Sequence, residues 1–326
     1  MAVSACGGDS LRPDVVAGGS TTAPPTDTGI VIPDALKYNL KTAVIVPGEN
    51  GAADTLLVAI SALDTTPVNA SWQLEPSLDI PGYRAFKRQE DPLDRLFIGL
   101  AASSADKSVR AVVAGDGGQF NRVFSGAIYA RKDGYTPPPA TASGPGTGQV
   151  SYKGKYAGLL NGGSVGTALL PIPPGRPTAA TEAPKQAARV QGDVFMNANF
   201  ADNVVNGIVK NRKVVDLAIT NDPSSAVYDS GSGVELQNVV LVKSDIIANG
   251  TFTGTAEREV VKTKVGTYGG IVGGANGSSI AGALQLDTIY DKTGTPITDA
   301  LERGVFVLDQ CGLTATAGGD CLGTAP

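Results

Sequence analysis

The chain has 326 residues, 26 Lys and Arg against 31 Asp and Glu for a net charge of −5, and no histidine. The acidic balance argues against nucleic acid, which wants clustered Lys and Arg. The missing histidine removes Ser-His-Asp and Cys-His catalysis, His-ligated zinc and His-ligated haem.

Val3-Ser4-Ala5-Cys6 opens the chain with a branched apolar residue, two small residues and a cysteine. This is the processing-site pattern of a bacterial lipoprotein, in which Cys6 becomes the lipid-modified N-terminus. Five residues precede Cys6, so the basic and apolar parts of a signal peptide are expected upstream of Met1. Residues 7–36 are rich in Gly, Ser, Thr and Pro, a composition that buries no core and reads as a flexible tether. Residues 1–36 are therefore expected to be a lipid-attachment site and tether, with two or more acyl chains for stable anchoring. No apolar run approaches the about 18 residues of a spanning helix.

Residues 37–136 read as a β-rich domain. Strands are predicted over 39–46, 55–60, 95–100, 109–113 and 120–129, the second as a short apolar run buried on both faces. The charged stretch 82–95, with Arg84, Lys87, Arg88, Glu90, Asp91, Asp94 and Arg95, reads as a solvated loop, with a binding surface as the alternative. Pro137-Pro138-Pro139 and the Gly/Pro-rich residues to 148 mark a linker and a domain boundary that few contacts should cross.

Residues 149–310 carry recurring strand and turn signals. Strands are predicted over 190–200, 204–209, 234–247, 251–256, 265–272, 279–286 and 304–308, with turns at Asp202-Asn203 and Asn249-Gly250. Scattered glycines inside these strands suggest a closed barrel that bends where a side chain would crowd. The insert 171–188 reads as a hairpin loop, and its Arg176 and Lys185 are candidate contacts for a ligand.

Cys311 and Cys321 enclose nine flexible residues in the C-terminal segment 311–326. An oxidising compartment would join them in a disulfide, worth roughly 2–3 kcal/mol in the chain-entropy model. Two cysteines without histidine fall short of a zinc site. No Walker A loop and no EF-hand loop occurs. Carboxylate pairs such as Asp91 with Asp94 or Asp216 with Asp222 could serve a glycosidase, but nothing in their spacing sets the distance such chemistry needs. No enzyme activity and no cofactor is expected. Tyr156, Tyr268 and Met196 could ligate haem, yet no axial pair replaces imidazole.

Several blocks together resemble a known family. They are Gly154-Lys155-Tyr156-Ala157-Gly158, the run 200–207, the run 250–256, Gly266-Thr267-Tyr268-Gly269-Gly270, and Ser279-Ile280-Ala281-Gly282. Their order and spacing, over about half the chain, are similar to the β-barrel domain of transferrin-binding protein B-like surface lipoproteins. The resemblance implies an all-β chain: an N-terminal β-rich handle-like domain, residues 37–136, followed by an eight-stranded antiparallel β-barrel, residues 149–310. It implies a lipid-anchored protein of the Gram-negative outer membrane, at the cell surface. The chain has one barrel-like unit and no histidine, so no ligand-contacting residue is mapped from the family. The expected function is capture of a protein or small solute for uptake. The alternative is a structural subunit of a surface layer or appendage that self-associates through strands.

Overall fold

A computed structural model describes residues 30–49, 51–62, 68–138, 148–164, 168–175, 181–216, 233–297 and 299–312. After one helical turn, α1 (Asp34–Lys37), the N-terminal half is a meander of seven strands. They are β1 (Leu40–Val46), β2 (Thr55–Ile60), β3 (Val68–Leu74), β4 (Arg84–Arg88), β5 (Phe97–Ser103), β6 (Val109–Asp116) and β7 (Ser125–Arg131). Each strand pairs antiparallel with the next. The sheet curls until the chain entering β1 meets the start of β7, where the Asn39 amide donates to the Ser125 carbonyl at 3.1 Å.

The second half is a closed antiparallel barrel of eight strands. These are β8 (Gln149–Ser164), β9 (Gln186–Asn199), β10 (Val204–Val214), β11 (Val239–Asp245), β12 (Thr251–Arg258), β13 (Lys264–Gly273), β14 (Ser279–Leu286) and β17 (Glu302–Gln310). β17 closes the ring on β8, from Glu302 opposite Leu160 to Gln310 opposite Tyr152. Two short strands, β15 (Ile289–Tyr290) and β16 (Pro296–Ile297), form a small ladder in the connection from β14 to β17. The all-β class, the antiparallel eight-stranded barrel and the β-rich N-terminal half agree with the sequence reading.

Eight strands enclose a space that side chains can fill. Here Tyr152, Tyr156, Tyr268, Phe252 and Phe306, all within 2 % of full burial, occupy it with Val, Leu and Met side chains. Interior glycines make room for the rings. Phe252 stands opposite Gly270, Tyr268 opposite Gly254, and Phe306 opposite Gly282. A Cβ at Gly282 would lie 2.2 Å from the Phe306 ring, and one at Gly270 2.4 Å from the Phe252 ring. A Cβ at Gly304 would meet the Tyr156 hydroxyl at 2.1 Å. These glycines thus have a role beyond the expected relief of strand bending, because each lets a cross-strand aromatic ring come close to the backbone.

The two halves share a core. Leu36, Ile80, Tyr83, Ile98, Leu100, Val109, Ala111, Val113 and Tyr129 pack on the outer face of the barrel at Ala157, Leu159, Ile271, Ala281, Ala283 and Val305. The Tyr83 hydroxyl donates to the carbonyls of Lys155 at 3.0 Å and Val305 at 3.2 Å. Buried Arg131 donates to the carbonyls of Asn249 at 2.7 Å and Val272 at 3.2 Å. The expectation that few contacts cross the proline-rich break is therefore corrected. A second apolar core, around Trp72 stacked on Phe97 at 5.7 Å, lies on the other face of the seven-stranded sheet. β5 from Phe97 to Ala101 and β6 at every position but Arg110 are buried, so both faces of these strands are covered. β2 is not, because Leu57 is 47 % exposed.

Other expectations shift locally. β3 and β4 were not foreseen: β3 mixes polar with apolar residues, and β4 falls inside the stretch expected to be a solvated loop. The side chain of Arg95, from that stretch, is only 7 % exposed. It forms an ion pair with the carboxylate of Asp116, donates to the Gln119 carbonyl at 2.7 Å, and lies 4.7 Å over the Phe124 ring. The strand expected over 120–129 begins only at Ser125, because Phe120 and Asn121 take left-handed turn conformations at φ 53° and 55°.

Candidate functional site at the barrel rim

The barrel ends are unequal. At one end β9–β10, β11–β12 and β13–β14 are joined by the short turns 200–203, 246–250 and 274–278. Tyr135 packs against the interior there, and the Tyr152 hydroxyl donates to the Gly277 carbonyl at 2.5 Å. At the other end lie three long connections, 165–185, 215–238 and 287–301, beside one short turn, 259–263. Long connections held on a rigid barrel are where binding residues gather.

A bulge in β10 shapes this rim. Pairing with β9 slips between Lys210 and Lys213, and Asn211 sits at φ 54°. One extra residue reverses the facing of those that follow. Val205 and Val209 point inward before the bulge, while Arg212 and Val214 are buried after it. Arg212 enters the barrel and pairs with Glu302, the two side chains being 1 % and 0 % exposed. The Tyr156 hydroxyl donates to the other Glu302 oxygen at 2.6 Å, and Arg212 donates to the Gln237 carbonyl at 2.8 Å. Burial and the neighbouring Glu302 carboxylate push the Tyr156 hydroxyl well above its usual titration range. A pair so enclosed cannot reach a ligand, so it is a floor that fixes β8, β10 and β17 beneath the rim.

Above this floor the rim connections are bolted together. The Gln237 amide donates to the Tyr290 carbonyl at 3.1 Å, and the Lys292 amide to the Glu235 carbonyl at 2.8 Å. Arg258 lies 3.8 Å over the Tyr290 ring and donates to the Gln237 side chain at 2.8 Å. Beyond Val209–Val239 the strands β10 and β11 part, and a groove of about 390 Å³ opens between Gln191, Lys213, Glu235, Asn238, Glu259 and Lys292. The hydrogen bond from Lys292 holds the Glu235 carboxyl below its usual range. Val260 and Val261, at the tip of the β12–β13 connection, are 84 % and 53 % exposed. The rim thus combines a polar groove of both charges with an apolar tip. That arrangement suits contact with a macromolecular surface.

The residues singled out in the sequence are placed as follows. Cys6, Arg176, Asp222 and Cys321 lie outside the described residues. Cys311 is held in a disulfide, and its amide donates to the Ser151 carbonyl at 2.9 Å. Lys185 bonds through its backbone to Gly117 and Gly118, and Phe120 donates to the Thr181 carbonyl at 2.6 Å, so the base of the 165–185 connection is fixed to the seven-stranded sheet. Asp91 and Asp94 share one exposed turn, where the Leu93 amide donates to Asp91 at 3.0 Å. Asp216 accepts from Arg189 through both oxygens, at 2.6 and 2.9 Å. Tyr156, Tyr268 and Met196 are fully buried inside the barrel. Burial pushes the Tyr268 hydroxyl up to about 12. Among the described residues no group of three or more His, Cys, Asp or Glu could hold a metal ion. No helix among them is long and apolar enough to cross a membrane.

Two features escaped the sequence reading. The Arg212–Glu302 pair is one: Arg212 stands among Lys210, Asn211 and Lys213, and Glu302 beside Arg303, so neither charge stands out from its neighbours. Gly162-Gly163-Ser164-Val165-Gly166 is the other, a match to the G-x-S-x-G spelling of a nucleophile elbow. The chain holds no histidine to act as base, and Ser164 ends strand β8 where that motif needs a strand-to-helix turn.

No family model matches this chain, and no curated protein matches it. Solved structures do. Intact Ap-TbpB, with N and C lobes, matches at 12 % identity and a TM-score of 0.35 over 70 % of this chain and 38 % of that one. A double mutant of transferrin binding protein B from Haemophilus parasuis Hp5 matches at 12 % identity and a TM-score of 0.36 over 80 % of this chain and 46 % of that one. The N-lobe domain of lactoferrin binding protein B of Moraxella bovis matches at 12 % identity and a TM-score of 0.31, over 83 % of this chain and 97 % of that domain. This chain spans less than half the length of the first two. They are the kind of protein the sequence blocks resemble. At these scores the likeness carries no argument about ligand.

Proposed function

We propose that the chain is a lipid-anchored binding protein of the bacterial cell surface that takes a protein ligand on the rim of its barrel. The observation that carries the reading is the contrast between a barrel interior filled by Tyr156, Tyr268, Phe252 and Phe306 and a rim built from long, mutually bonded connections. A filled barrel offers a solute no lumen of its own, which turns binding to the outside. Cys6 would carry the lipid, residues 7–36 would be the tether, and the disulfide of Cys311 would close on Cys321. The protein would act by binding, not as an enzyme. Its outer-membrane location follows from the lipoprotein reading and the family resemblance.

Immobilised full-length protein should retain one or a few proteins from host serum or spent medium in stoichiometric amounts, identified by mass spectrometry. No specific retention from either source would overturn the reading. Mass spectrometry of the native N-terminus should find an acylated Cys6. The alternative, a structural subunit, draws on the free edges of β1 and β7, which could pair between copies. Light scattering separates the two: a monomer at micromolar concentration supports the binding protein, and an open-ended polymer supports the subunit.

A further inference from the structure

The seven-stranded sheet stops one pairing short of a ring. Asn39 and Ser125 bond to each other at 3.1 and 3.2 Å, but past them no backbone hydrogen bond joins β1 to β7 among the described residues. The strands instead flank a groove of about 440 Å³, walled by Lys41–Val44 of β1, Ile128–Ala130 of β7, and Ile30 and Ile32. In an antiparallel strand every second residue turns its N–H and C=O away from its partner. Both walls therefore present unused ladder groups to the same space. Four residues of β1 are about 13 Å of strand at about 3.3 Å per residue, enough for one short extended peptide.

The groove is also positively charged in a chain whose net charge is −5. Lys37, Lys41 and Arg110 line it, and no Asp or Glu does. Lys37 faces Asp34 at 3.6 Å. Neither Lys41 nor Arg110 has an ion-pair or side-chain hydrogen-bond partner among the described residues. A lysine on an edge strand can serve simply to repel other strands. Arg110 is different: it sits on β6, inside the sheet, where there is no edge to guard. Partial burial without a counter-charge lowers its pKa, and an incoming carboxylate would reverse that cost.

We propose that the seam between β1 and β7 binds an extended acidic peptide segment of a partner protein, which adds as a strand with its carboxylates against Lys41 and Arg110. Backbone bonds to the two edges provide affinity, and the cations provide the choice of sequence. Alternate side chains of the added strand lie along Ile30, Ile32 and Ile128. This site is on the N-terminal half, separate from the rim, and does not depend on what the rim binds.

The test uses the full chain and two labelled eight-residue peptides, one alternating Val with Glu and one alternating Val with Lys. Fluorescence anisotropy should show binding of the Glu peptide, at least tenfold weaker for the Lys peptide and weakened by added salt. Hydrogen exchange should show new protection confined to residues 41–44 and 128–130. Lys41→Glu with Arg110→Glu should weaken the Glu peptide at least tenfold. If that variant has a lowered melting temperature, Lys41→Met and Arg110→Gln, each alone, should weaken it by a smaller factor. Equal binding of both peptides, no binding of either, or protection elsewhere would overturn the proposal. Protection of the same amides by rising protein concentration alone would assign the seam to a second copy of the chain instead.

Discussion

Leu36 rests directly on Gly269 of β13: a Cβ on residue 269 would lie 3.0 Å from Leu36 Cδ1 and 3.1 Å from the Tyr129 hydroxyl. The adjacent Gly270 faces the opposite way, beneath the Phe252 ring inside the barrel. Two neighbouring glycines thus serve two cores. One lets the N-terminal half approach the barrel wall, and the other lets an aromatic ring fill the barrel.

Interior glycines should be intolerant of even one methyl group. Gly282→Ala places a Cβ against the Phe306 ring and the Gly269 carbonyl, at 2.2 and 2.5 Å. It should cost about 1–3 kcal/mol, as overpacking does, read as a lower midpoint in denaturant. Phe306→Leu should recover part of that loss in the Gly282→Ala background. Strict additivity of the two changes would argue against the ring as the cause.

The two halves should melt together. Removing residues 1–147 would uncover Ala157, Leu159, Ile271, Ala281, Ala283 and Val305 on the outer wall. The truncated barrel should bind a hydrophobic dye or aggregate, and the full chain should show one calorimetric transition. Tyr83→Phe, which removes bonds to Lys155 and Val305, should lower stability by about 1 kcal/mol. A soluble truncated barrel with an independent melt would show that the shared core is dispensable.

The enclosed Arg212–Glu302 pair should be costly to break and cheap to replace whole. Arg212→Met alone strands a buried carboxylate and should cost about 3–5 kcal/mol. The triple change Arg212→Met, Glu302→Leu and Tyr156→Phe should be more stable than that single variant, because no buried charge is left unpaired and only the Gln237 carbonyl loses its donor. If instead the triple variant is the less stable, the pair contributes more than its own desolvation cost.

A latch between the halves should fail in acid. Burial alone would raise the Asp106 carboxyl. Hydrogen bonds from the hydroxyls of Ser104 at 2.6 Å and Ser278 at 2.7 Å, and from Ser108, outweigh it and hold the group well below its ordinary 3.8. A depressed folded pKa means stability that is present above 3.8 and lost as pH falls from there toward the folded value. Wild type should therefore be more stable than Asp106→Asn at pH 6, and the difference should shrink steadily below about pH 4. A gap independent of pH would point to packing, not to charge.

Much of the barrel was legible because its strands alternate and its turns are spelled out. Asp202-Asn203 and Asn249-Gly250 are the β9–β10 and β11–β12 turns, and Ser279–Leu286 runs as expected. β8 emerged only through the family resemblance, because Gly154, Gly158 and the Lys155 and Tyr156 between them blur its period. Arg95 was misread because a charge run looks solvated until its partner, Asp116, is known to lie across the sheet. Arg212 was hidden by a bulge. Period-two reading places it outside, and only the pairing slip at Asn211 turns it in. Of the rim only the 171–188 insert was legible, since the rest is assembled from connections far apart in sequence that meet only when the barrel closes.

The most direct test of the binding account compares the two ends of the barrel. Val260 on the rim is 84 % exposed, and Ile247 on the short-turn end is 56 % exposed, so either can be changed to Asp without disturbing a core. Each variant should be immobilised beside wild type and offered the protein that wild type captures. Val260→Asp, combined with Val261→Asp, should reduce capture at least tenfold, while Ile247→Asp should match wild type. Loss of capture by Ile247→Asp with the rim variant unaffected would place the binding surface at the opposite end and contradict the account.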